Sequence, residues 1–431
     1  MTSQEQIMGT RPLSGWRDKI LPLRAQWIER DRLLEERFNT LLPGLMRREG
    51  IDLWIVIGSE YNEDPVFDSL TPAATLNASR RMVLLFHLSE GGFVECSALS
   101  KRPLGHLYTM QEQQPDESLE DALRRVVTEK DPQTLGVNTS ATFPLADGLS
   151  HTAHAWLLDA LGSDLAARTR SAEGLAVGWL ETRSASELAI YPSVVDLSRA
   201  FIQTAFSPLV ITPGITTTDD VVWWMRQQVH DFGLKPAFSF TVTLDAQDQA
   251  FDIQGRTNPR NRILPGDVLR CDFGITYLGL TTDQQESVCM LKPGEIAAPE
   301  GLQAAMLTAN RAQDIVFEQA KLGRTGNDIL RASREQAADE GIDACFFCHP
   351  IGSHVHGAGT SIGRWDCQDG LPGIGDYEIR NNTCYAIELY IKQAIPEWND
   401  RHFTMLLEQD AVFADGAFRW LSGHQTRFLT M

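Results

Sequence analysis

The stretch Pro265-Gly-Asp-Val-Leu-Arg-Cys-Asp272-Phe-Gly-Ile-Thr-Tyr-Leu-Gly-Leu-Thr-Thr-Asp283-Gln-Gln-Glu-Ser-Val-Cys-Met-Leu291 decides how the rest of the chain is read. Apolar runs flank Tyr277-Leu-Gly-Leu280, which predicts two strands joined by a short glycine-containing turn. A turn centred between Tyr277 and Leu278 puts Asp272 and Asp283 nearly opposite each other, and facing cross-strand residues hold their Cβ atoms only ~4.5–5.5 Å apart. Two carboxylates that close repel unless positive charge sits between them. A pair of metal ions ~3.5–4 Å apart supplies it.

Downstream the same device returns. Thr383-Cys-Tyr-Ala-Ile-Glu388-Leu-Tyr-Ile-Lys392 and Arg401-His-Phe-Thr-Met-Leu-Leu-Glu408-Gln-Asp-Ala-Val-Phe413 are strand-like runs around a polar loop, and each carries a glutamate within an apolar stretch. Either glutamate alone reads most simply as the solvent-facing member of an alternating pattern. Between the two acidic regions lies His349-Pro-Ile-Gly-Ser-His354-Val-His356-Gly-Ala-Gly359, with three of the ten histidines of the chain. Two aspartates, two glutamates and this loop together point to a metal site.

A faint repeat frames these segments. Ile211-Thr-Pro-Gly214-Ile-Thr216-Thr-Thr-Asp219 and Leu322-Gly323-Arg-Thr325-Gly-Asn-Asp328 share Gly-x-Thr-x-x-Asp, each between helical patterns and each with strand-like sequence downstream. A threonine cap before an acidic first turn explains either one locally. Its recurrence predicts a domain of two similar halves.

Upstream, residues from about Trp16 to Arg48 have helical spacing, interrupted at Pro43-Gly44 and closed by Gly50. Asp52–Gly58, Arg81–His87 and Gly92–Cys96 read as strands and His151–Leu161 as a helix, so this region is mixed α/β. The texture changes around Glu181–Leu188. Two domains are expected, 1–180 and 181–431.

Composition narrows the partners. A net charge of −19 argues against nucleic acid and anionic membrane surfaces, both of which attract basic patches. With 43% hydrophobic and 22% charged residues the chain has the make-up of a soluble globular protein. MTSQEQIMGTRPLSGW shows no signal-peptide pattern and no apolar run reaches membrane length, so the cytoplasm is the expected compartment. Seven cysteines without framework spacing predict reduced thiols. Cys345-Phe-Phe-Cys348 has the spacing of half a zinc site but no matching second half, and ordinary buried thiols are expected there.

Asp272-x-Gly274, Asp283 eleven residues beyond Asp272, His356-Gly-Ala-Gly359, Glu388 in Ile-Glu-Leu and Glu408-Gln-Asp follow one another in an order that resembles the pita-bread metallopeptidases. That family includes Xaa-Pro aminopeptidases, prolidases and methionine aminopeptidases, with creatinase as a metal-free relative. The resemblance runs from about Thr182 to the end of the chain, and the preceding region looks like the smaller creatinase/prolidase-type domain. It implies Asp272, Asp283, His356, Glu388 and Glu408 as ligands of two divalent ions, with Asp283 and Glu408 bridging them and His354 as the rival to His356. Glu388 is implied to take a proton from a bridging water, and His354 and His349 to face the substrate. An oxygen-rich set of this kind favours Mn²⁺, Co²⁺ or Fe²⁺ over Zn²⁺.

The implied substrate is a short peptide with proline after its first residue, cut at the Xaa-Pro bond by a homodimer. Two family histidines find no counterpart. None stands between Gly233 and Asp272, and none in Thr360–Asp366, so Gln254, Arg256 and Trp365 are the candidate substitutes. A lyase or hydrolase of the same fold acting on a small non-peptide molecule, and an inactive binding protein, are the competing readings.

Overall fold

The computed structural model describes residues 13–247 and 260–431. The chain divides into two compact units, one of Pro22–Ser186, the other of Glu187–Met431 with the N-terminal stretch that ends at Leu21.

In the first unit, helices Leu23–Thr40 and Leu42–Glu49 meet at Leu41. Pro43 stands in the first turn of the second helix, where its missing N–H costs nothing, and Gly50 ends that helix at φ 59°. The predicted strands form as Leu53–Ser59, Arg81–Leu88 and Val94–Leu99, and Leu135–Val137 and Thr169–Ser171 extend their sheet. Helices Leu119–Lys130 and His151–Ala166 bury Leu123, Val127, Leu157 and Leu161 in one core with Leu53, Ile55 and Leu85 of the sheet.

The second unit is built twice over. Its first half holds α1 (Thr218–Asp231), β1 (Thr241–Asp245), β2 (Val268–Phe273), β3 (Ile275–Tyr277), β4 (Leu280–Thr281) and β5 (Gln284–Cys289). Its second half holds α2 (Glu300–Gln319), α3 (Gly326–Asp339), β6 (Ala344–Phe346), β7 (His349–Ile351), β8 (Thr383–Ile395) and β9 (Arg401–Ala414). The main path of the sheet runs β6-β8-β9-β5-β2-β1, with β7 pairing β8 beside it, so the two halves meet at the β9–β5 junction. That junction is a single register pair, Gln285 with Glu408.

The repeat also appears at the helix caps. Thr217 caps α1 and Thr325 caps α3, each through a capping box with the aspartate three residues on, Asp220 and Asp328. In the first half the box lies one residue downstream of the predicted Thr216–Asp219. Both caps form an isolated bridge to a later segment, Thr217 to Arg262 and Thr325 to Glu378.

The hairpin register differs from expectation. The turn residues are Leu278 and Gly279, at φ 55° and 81°, and they pair Tyr277 with Leu280. A two-residue turn of this hand matches strand twist and moves the centre one residue along the chain. Asp272 therefore opposes Gln285, not Asp283. Between β2 and β3, Gly274 runs so close to the Thr282 carbonyl that a Cβ would lie 2.1 Å from that oxygen. Here the hairpin leaves the main sheet, with β3 and β4 joining a small three-stranded sheet. Asp283 sits at this break, outside both ladders.

Alternation along the strands separates core from site. Leu269, Cys271 and Phe273 of β2 enter one core, while Ile387, Leu389 and Ile391 of β8 and Leu407 of β9 enter the other with residues of α2 and α3. Asp272, Glu388 and Glu408 have the opposite parity and project from the other face. All seven thiols are free. Cys345 donates to the Trp365 carbonyl and Cys348 to that of Glu388. Among the described residues no helix is long and apolar enough to cross a membrane.

Candidate metal centre

One row of residues crosses the middle of the sheet. Asp272 faces Gln285, Gln285 faces Glu408, and Glu408 faces Glu388, so the row spans β2, β5, β9 and β8. Three of its four members are acids.

His349 opens β7 and pairs with Ala386, two residues before Glu388. Its Nδ1 lies 3.3 Å from the Pro350 carbonyl, an oxygen that can only accept, so Nδ1 carries the proton and Nε2 presents a lone pair. That Nε2 stands 3.6 Å from Asp283 Oδ2, 3.9 Å from Glu388 Oε2 and 3.5 Å from Glu408 Oε1. Burial holds the His349 imidazole below its ordinary range, in the neutral form that binds metals. A lone pair aimed at three carboxylates is repulsive until a cation lies between them.

Other atoms tell the same story. Asp272 Oδ1, Asp283 Oδ1, Glu408 Oε1 and His349 Nε2 are buried and have no hydrogen-bond partner among the described residues. All four are acceptors, so a cation completes them where a donor is missing. Burial pushes the carboxyls of Asp283, Glu388 and Glu408 well above the usual range, and mutual repulsion adds to it. Burial raises Asp272 as well, opposed by Arg270 and His349.

Ligand atoms gather in overlapping sets, each within 4.8 Å: His349, Glu388 and Glu408 in one, Asp272, Asp283 and Glu408 in another, and Asp283, His349 and His356 in a third. Glu408 is common to the first two. The residues thus fit a divalent metal centre.

The histidine loop folds back on β7. The Gly357 N–H donates to the Pro350 carbonyl at 2.7 Å, and a Cβ on Gly357 would stand 2.9 Å from that oxygen. This closure sets the exposed His356 ring 4.6 Å from the His349 ring, edge to face. His354 is half-buried and belongs to none of the three sets. Thus His349, read from sequence as substrate-facing, lies at the centre of the acids, and His356, read as a ligand, lies beside it. Gln254 and Arg256 fall outside the described residues. Trp365 is 44% exposed.

Two functional neighbours escaped sequence reading. Gln285, 1% exposed, donates from Nε2 to Glu388 Oε1 at 2.5 Å and to Glu408 Oε2 at 2.8 Å. Asp410, also buried, accepts the backbone N–H of Asp283 at 3.1 Å and so anchors the break in the first hairpin to β9. The available signal was Gln284-Gln-Glu-Ser287, four polar residues in a strand that is buried throughout.

A family model described as metallopeptidase family M24 matches residues 193–418, more than half of the chain and all of this cluster. The chain belongs to metallopeptidase family M24. An X-Pro aminopeptidase from Thermotoga maritima MSB8 is similar in structure, with a TM-score of 0.65 at 17% identity over 90% of this chain and 100% of that one. So is an Xaa-Pro dipeptidase from Bacillus anthracis, with a TM-score of 0.58 at 16% identity over 94% of this chain and 100% of that one. Prolidase from Pyrococcus furiosus gives 0.55 at 14% identity over 89% and 100%. No curated protein matches the chain. At such identities the structural likeness establishes the fold, which is the pita-bread fold expected from the sequence, and the M24 match makes the protein a metallopeptidase.

Proposed function

We propose that this M24 member hydrolyses Xaa-Pro bonds in short peptides with two divalent ions, Mn²⁺ being favoured by the oxygen-rich ligand set. The observation that carries the reading is the convergence of three carboxylates, Asp283, Glu388 and Glu408, on the unprotonated Nε2 of His349. In it His349, Glu388, Glu408 and Asp283 hold one ion, and Asp272, Asp283 and Glu408 the other. His349 replaces His356 as the imidazole ligand because His349 lies in two of the ligand sets with the glutamates and aspartates, and His356 only in one.

When bound, the ions polarise a substrate carbonyl and lower the pKa of water. Glu388, 16% exposed, is the acid best placed to take a proton from the attacking water. His356, exposed next to His349, donates a hydrogen bond to the carbonyl oxygen as it gains charge, and His354 stands behind it as the second candidate. The assignment of the N-terminal unit as a creatinase/prolidase-type domain, a homodimeric assembly and a cytoplasmic location belong to the same proposal.

Chelated protein, with and without Mn²⁺ added back, tested on a panel of Xaa-Pro peptides decides the matter. Metal-restored cleavage at the Xaa-Pro bond is the expected result. Metal binding without cleavage of any member would overturn the substrate reading in favour of a small non-peptide substrate.

A further inference from the structure

Gln285 stands between the two glutamates of the metal centre. Its amide direction is fixed from behind, since Arg270 Nη1 donates to Gln285 Oε1 at 2.7 Å. Reversing the amide would turn its NH₂ toward a guanidinium and its oxygen toward two carboxylates. Arg270 is itself held by Thr243 Oγ1, 3.3 Å from Nη2. The forward nitrogen spends one hydrogen on Glu388 Oε1 and the other on Glu408 Oε2. What remains facing His349 is the opposite oxygen of each glutamate, Glu388 Oε2 and Glu408 Oε1.

Resting on the metal-centre reading above, we infer that Gln285, oriented by Arg270, is a positioning residue that selects which oxygen of Glu388 and of Glu408 is presented to metal. The amide occupies one edge of both carboxylates, so each glutamate offers a single oxygen to an ion. The guanidinium behind it polarises the amide and offsets part of the charge of the cluster before any ion arrives. Because Gln285 and Glu408 form the register pair of β5 with β9, the device sits where both halves contribute to the site.

The test is titration of chelated full-length protein with Mn²⁺, and with Co²⁺ for its visible spectrum, in the absence of peptide. Gln285→Leu removes both donors at similar volume. It is expected to weaken Mn²⁺ binding by about tenfold or more, the scale of outer-shell ligand partners, and to change the Co²⁺ spectrum because the freed oxygens alter coordination. Arg270→Met is expected to act through the same path, so the double variant is no weaker than the worse single one. Circular dichroism of the chelated proteins reports folding. If the leucine variant does not fold, Gln285→Asn, too short to span both glutamates, carries the same expectation.

Unchanged affinity and spectrum in the Gln285 variants would overturn the inference, as would additive losses in the double variant. Wild-type protein that binds no Mn²⁺ would overturn both this and the metal-centre reading. Binding that depends on Gln285 in a protein that cuts no Xaa-Pro peptide would support the inference while overturning the substrate reading.

Discussion

The two strand pairs that carry the acids differ in continuity. In the second half, β8 and β9 pair without interruption from Thr383–Phe413 to Ile395–Arg401, and an unbroken ladder fixes parity, so Glu388 and Glu408 are forced opposite each other. In the first half, the ladder of β2 and β5 ends at Phe273–Gln284, and Gly274 hands the chain to a separate small sheet. The break frees Asp283 from the ladder, so the first half places one acid from within the sheet and one from its interruption. At the position where the second half has Glu408, the first half has Gln285. An amide there gives the centre a donor among its acceptors.

The strongest attempt to break this comparison is at Glu408, which both ligand sets share. Glu408→Ala is expected to remove both ions and to lower turnover by more than about 10²-fold, beyond the 10–100-fold scale of an outer-shell partner. Asp272→Ala, which touches only one set, should retain part of the metal. Equal metal loss in the two variants, read by elemental analysis, would contradict the sharing.

The histidines give the next test. His349→Ala should lose metal, whereas His356→Ala should keep its metal content and lose about 10²-fold or more in turnover, the usual scale of one oxyanion donor. The reverse pattern would return the ligand role to His356.

A smaller effect tests how the halves are tied. Asp245 of β1 pairs with Arg401 of β9 at 2.8 Å, yet burial raises its carboxyl to about 6, with Arg401 opposing the rise. The folded value lies above the unfolded value of 3.8, so this group favours the folded state fully below the unfolded pKa. That contribution is lost as pH rises through about 6. Stability should therefore fall by about 1 kcal/mol between pH 5 and 7 through this group, and Asp245→Asn should flatten that slope in urea denaturation. An unchanged slope would reject the assignment.

The caps provide the smallest and most symmetrical test. Thr217→Ala and Thr325→Ala each remove a capping-box hydroxyl and should each cost about 1 kcal/mol. Unequal costs would show that the two caps are not energetically equivalent.

Much of this is legible in the sequence alone. The acids were visible because a charged residue in an apolar strand is conspicuous, and the two halves because Gly-x-Thr-x-x-Asp recurs. The pairing of Asp272 was misjudged because a one-residue shift in the turn centre moves every partner by two. Gln285 was invisible for a different reason. An amide carries no charge to draw attention, and its role exists only where β5 meets β9, 123 residues away in sequence at Glu408. The placement of the histidine rings was hidden similarly, since the fold-back of Gly357 onto Pro350 decides which ring lies among the acids.

Anomalous diffraction from crystals soaked in Mn²⁺ tests the central claim most directly. The account predicts two peaks, one bonded to His349 Nε2, Asp283, Glu388 and Glu408, the other to Asp272, Asp283 and Glu408, with Gln285 still donating to both glutamates. A peak bonded to His356 or His354 with His349 uncoordinated, or no peak among the four acids, would contradict it.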